Sequence, residues 1–111
     1  MPVLARWIEA AGIPTVVVTM MPDLATALFN PRTVGVEFPF GHPFGMPGDA
    51  AMQDRVLGEA LNVLAGADRF GTRVDIDIEW PVPRKEAYKA WQPAKPSPIT
   101  QWWLERNMLE R

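Results

Sequence analysis

The chain's single histidine, His42, sits in Phe38-Pro39-Phe40-Gly41-His42-Pro43-Phe44-Gly45-Met46-Pro47-Gly48, a segment with three prolines and three glycines. Imidazole changes charge near neutral pH, so His42 is a candidate general acid or base and a candidate substrate ligand. Proline fixes φ, and glycine adopts φ values closed to other residues, so this segment reads as a shaped loop. Phe40, Gly41, Pro43, Phe44 and Gly45 are the candidate substrate-binding residues around the imidazole. Asp49 follows as the N-cap of a helix, whose first free N–H groups favour an anion. The plainer alternative is a stiff turn in which His42 bonds only to backbone.

Asp75, Asp77 and Glu79 alternate along one run and share a face if that run is a strand. Three carboxylates on one face suit a hard cation. A solvated edge strand, whose charges discourage pairing with other chains, accounts for them better. The sequence contains no cysteine, so it has no disulfide, no thiolate metal site and no thiol nucleophile of its own. It also lacks a phosphate-loop lysine and a glycine-rich dinucleotide fingerprint, and Ser97 reads as a helix cap. No metal and no cofactor is expected in this chain.

Four of the five tryptophans, Trp80, Trp91, Trp102 and Trp103, fall in residues 80–111. Large aromatic side chains are favoured interface anchors. An arm punctuated by Pro81, Pro83, Pro93, Pro96 and Pro98 does not fold back easily onto a small core. These four residues are therefore the expected subunit interface, the alternative being that they cover an open sheet edge.

The elements that position these groups follow from periodicity. Residues 2–11 read as a helix, with Leu4, Trp7, Ile8 and Ala11 at helical spacing, Pro2 in its first turn and Gly12 capping its end. Residues 13–20 form a β-branched run typical of a strand covered on both faces in a parallel sheet. A short helix over 22–29 and a second strand over 33–38 follow, which argues for a right-handed crossover. A longer helix runs from Asp49 to about Leu64, with Met52, Val56, Leu57, Leu61 and Leu64 as its buried face. Residues 73–79 alternate as a strand, and short helices are expected over 84–90 and 99–109. The expected class is α/β: a small parallel sheet flanked by helices, a Rossmann-like or flavodoxin-like half. Residues 1–79 form the domain and 80–111 an extended arm.

With 111 residues there is room for one domain. A formal net charge of −2 offers no footprint for nucleic acid. No apolar run has the length of a membrane span, and the first residues lack a signal peptide's basic start, so a cytoplasmic location is expected.

Two segments carry a resemblance when taken together. Ala10-Ala11-Gly12-Ile13-Pro14-Thr15-Val16-Val17-Val18 joins a helix to a strand, and residues 38–49 lead into a helix containing Gln53. In this order and separation they resemble the C-terminal part of the protein B subunits of the glycine, sarcosine, betaine and D-proline reductases and their non-selenium relatives. The resemblance covers about residues 3–66. It implies reductive cleavage of a carbon–heteroatom bond by an activated cysteine or selenocysteine, neither of which this sequence carries. His42 and its loop carry over only as a wall of a substrate site. The expectation is a small subunit, inactive alone, of a two-component reductase-like or lyase-like enzyme cleaving a C–N or C–S bond. A larger cysteine-bearing subunit would supply the thiolate, and a small molecule would be the substrate. The alternative is a non-catalytic scaffolding subunit that stabilises a partner through its tryptophan arm.

Overall fold

The computed structural model describes residues 1–91 and 93–109, with only the backbone of Trp91 and Leu109. Helix α1 (Pro2–Ala10) has proline in its first turn. It ends where Gly12, at φ 87°, turns the chain. The Gly12 and Ile13 N–H groups donate to the Glu9 and Ile8 carbonyls, a paired cap that satisfies the helix's last acceptors. Strand β1 (Val17–Thr19), helix α2 (Pro22–Ala27) and strand β2 (Arg32–Gly35) follow. Helix α3 (Ala50–Gly66) then leads to strand β3 (Thr72–Asp75). Helices α4 (Arg84–Trp91) and α5 (Pro98–Leu109) complete the order.

The three strands form a parallel sheet in the order β1-β2-β3, with Val18 beside Val34 and Val34 beside Val74. The α/β class therefore holds. Every residue from Thr33 to Val36 is buried, as a central parallel strand requires. Val34, Val36 and Phe38 turn to one face, where Val56, Ala60 and Val63 of α3 meet them at i, i+4 and i+7 spacing. The buried face of α3 differs from the expected one, keeping Val56 but turning away from Leu57 and Leu61. Leu57 and Leu61 are about half exposed, and the small residues Ala60 and Val63 face the sheet, which lets helix and strands approach closely.

Helix α2 lies across the other face. A Cβ on Gly35 would come within 2.9 Å of Pro22, and Asp23 reaches Arg73 on the same face. Both connections step the same way across the sheet, so helices on opposite faces make the two crossovers opposite in hand. Asn30, itself buried, shapes the turn into β2 by donating to the Arg32 carbonyl at 2.6 Å and to Thr33 Oγ1 at 2.7 Å. Glu9 ties α1 to the sheet: its carboxylate pairs with Arg32 and accepts from the Thr15 N–H at 2.7 Å.

The radius of gyration is 18.0 Å, against about 13 Å for a compact domain of this length. On α5, Ile99, Trp102 and Trp103 share one side while Leu104 and Met108 lie on the opposite side, and all five are exposed. Among the described residues no helix is long and apolar enough to cross a membrane.

Candidate functional site

In open parallel sheets, ligands bind beyond the carboxyl ends of the strands, where side chains of successive loops converge. Here the chain leaving β2 and β3 opens a cleft of about 940 Å³. Its sheet side carries Gly35, Glu37, Asp75 and Asp77, all on the α2 face by strand alternation. Phe38 and Trp80 form an aromatic wall, and Tyr88 of α4 also lines the cleft.

Arg73 organises the inner end. Its Nε and Nη2 donate to the two Asp75 oxygens at 2.9 Å each, and its Nη1 donates to Asp23 at 2.6 Å. The fork on Asp75 is bidentate, the strong geometry for a guanidinium and a carboxylate. It holds the Asp75 carboxyl below the usual range, and the two carboxylates hold the Arg73 guanidinium charged well beyond the ordinary arginine value. Asp75 can lie flat on the sheet because position 35 is glycine: a Cβ there would fall 2.3 Å from Asp75 Oδ1. Glu37, Asp77 and Glu79 are exposed and form no side-chain ion pair among the described residues. Arg84 sits over the Tyr88 ring at 5.6 Å. Among the described residues no three carboxylates or imidazoles converge as metal ligands would.

The loop with His42 is a chain of turns. The His42 N–H donates to the Pro39 carbonyl at 3.1 Å, the Gly45 N–H to the His42 carbonyl at 3.2 Å, and the Asp49 N–H to the Met46 carbonyl at 3.1 Å. Gly45 is buried with φ 109°, and a Cβ there would come within 2.8 Å of Met52. Asp49 caps α3 by accepting from the Met52 N–H at 3.0 Å, and Gln53 donates to the Met46 carbonyl at 3.0 Å. Phe40 and Phe44 are more than a third exposed. The half-buried imidazole stacks on Trp80, with ring centres 5.5 Å apart and planes 29° apart, and Trp80 tilts against Phe38 at 5.3 Å.

Residues 40–49 do not line the cleft. His42 and the cleft meet through Trp80, which belongs to both. Trp80 is thus half-buried in the body of the protein, whereas Trp102 and Trp103 are exposed on α5. The Trp91 side chain lies outside the described residues. Sequence reasoning missed Arg73, Tyr88 and Asp23 as members of one cleft. The available signal was that Arg73 and Asp75 stand two residues apart on a strand whose carboxyl end faces outward.

No known family model matches the chain, and no solved structure matches it. Among curated proteins it is similar to the D-proline reductase subunit gamma of Acetoanaerobium sticklandii, 28% identical over 78 residues. That stretch covers 70% of this chain and 32% of the relative, so the chain spans about a third of that protein's length. The likeness supports a relation to the proline and glycine reductases, without singling out their protein B subunits.

Proposed function

We propose that this chain is a small, reductase-like subunit that supplies part of a substrate site and is inactive alone. The single supporting observation is its likeness to a D-proline reductase subunit in a chain without cysteine. In this reading a larger partner subunit contributes the thiolate. A carbon–nitrogen or carbon–sulfur bond of a small molecule breaks as the thiolate bonds to carbon, and the departing heteroatom takes a proton. The small molecule would bind against the His42 loop, which meets the cleft at the carboxyl ends of β2 and β3 only through Trp80. His42 is the candidate proton donor, since an imidazolium near the partner's thiolate favours its ionised form. Trp80 and the loop turns hold the imidazole in one orientation.

A second reading, a scaffold with no residue in the active site, is favoured by α5. Its Trp102 and Trp103 are each more than half exposed and Ile99 is 80% exposed, a surface that suits a partner better than water. The experiment is to isolate the chain with its co-purifying partner and to compare His42→Ala and His42→Gln in the assembled complex. The enzymatic reading expects turnover to fall by about 10²-fold or more, as for loss of a proton-transfer group, with assembly intact. It also expects the glutamine variant to lose the pH limb nearest neutrality. Normal turnover with an unchanged pH profile would leave this chain a scaffold.

A further inference from the structure

The two edges of the sheet are built differently. The Thr19 carbonyl accepts from the Val36 N–H at 3.0 Å. Backbone groups alternate along a parallel strand, so Val17 and Thr19 address β2 while the N–H and C=O of Val18 point away from the sheet. Val16 and Met20 continue that outward phase on either side. At the other edge the Ile76 N–H donates to the Gly35 carbonyl at 2.9 Å. Arg73 and Asp75 therefore carry the outward backbone groups of β3, under side chains that are charged and paired. Charge on an edge strand resists the addition of another strand. The β1 edge has no such guard, since residues 13–20 include no charged side chain.

We propose that β1 pairs with β1 of a second copy of this chain, antiparallel about a two-fold axis at Val18, to make one six-stranded sheet. In that register Val18 faces Val18 of the other copy, Val16 faces Met20 and Val17 faces Thr19. The outward groups of residues 16, 18 and 20 then form three hydrogen-bonded pairs. Centring on Val18 also keeps Pro14, which has no N–H to donate, out of the ladder. No pair sets a charge against a like charge, as an isologous contact requires of a surface that meets itself. Ile13 and Met21, both about half exposed at the ends of the run, add apolar area. This contact does not rest on the reductase reading and stands or falls separately.

The test uses the full chain in a concentration series, with light scattering for mass and amide hydrogen exchange by NMR for the edge. The expected result is a dimer in which protection of the Val18 N–H rises by about tenfold or more as the dimer fills. The Val17 and Thr19 N–H groups, bonded to β2, should stay protected throughout. Val18→Pro removes the outward donor without removing a bond to β2, and is expected to give a folded monomer by circular dichroism and light scattering. If that variant does not fold, the wild-type exchange pattern decides alone. A monomer at all concentrations overturns the proposal, as does a dimer whose Val18 N–H exchanges as fast as in the monomer. Protection of Val18 only when a different, co-purified protein is bound would overturn the second copy as the occupant.

Discussion

Replacing Trp80 by alanine separates a tryptophan of the body from one of the arm. The indole is half-buried, 5.3 Å from Phe38 and 5.5 Å from His42, and packs beside Val36 and Val56. A tryptophan buries about 150–250 Å², and each aromatic pair adds about 0.5–1.5 kcal/mol beyond area. Truncating a buried tryptophan costs about 3–5 kcal/mol, and partial exposure places this one at the lower end, about 3 kcal/mol. With a urea slope of about 1.5 kcal/mol/M, the unfolding midpoint should fall by about 2 M. Far-UV circular dichroism follows the transition, and the His42 ring protons, relieved of the indole ring current, should shift in the NMR spectrum. Trp103→Ala is the control: at 57% exposure it should move stability by no more than about 0.5 kcal/mol. Equal, small effects from both substitutions would refute the placement of Trp80 in the core and return it to the interface.

Gly35→Ala should destabilise by about 1–3 kcal/mol in the same urea assay, because the new methyl displaces both Asp75 and the Pro22 ring; a neutral result would mean that the sheet and α2 are not in contact there. Acid sensitivity follows from Asp75. Its folded-state pKa is depressed by Arg73, so its contribution is present above the unfolded value of about 3.9 and is lost as pH falls through the lower folded value. Wild type should therefore exceed Asp75→Asn in stability at pH 7, with the gap closing below about pH 4; a gap independent of pH would remove the ion pair as its cause.

Periodicity made the order of elements legible, and the glycines and prolines of residues 38–48 made the loop legible. Strand lengths were not. The β-branched run over 13–20 yields a strand only at Val17–Thr19, since β2 offers four residues to pair with. The alternating run over 73–79 outlasts β2 for the same reason, so β3 ends at Asp75 while Ile76 and Ile78 still pack on the core. The cleft was hidden because its walls come from segments far apart in the chain. The stack of His42 on Trp80 joins residues 38 positions apart, and nothing in either local pattern announces the other. Composition grouped Trp80 with the other tryptophans and could not show that it packs beside Val36 and Val56.

The strand register also sets an order of closure costs. Val18 meets Val34 across 16 positions, whereas Val34 meets Val74 across 40. Chain-closure entropy grows with the logarithm of loop length, so the second pairing costs about 0.8 kcal/mol more than the first. The β1–α2–β2 unit is thus the cheaper one to assemble from a disordered chain. The aliphatic face of β2 that it organises is the surface that α3 covers, and the cleft, built from the ends of both strands, is complete only when the β2–β3 pairing is made.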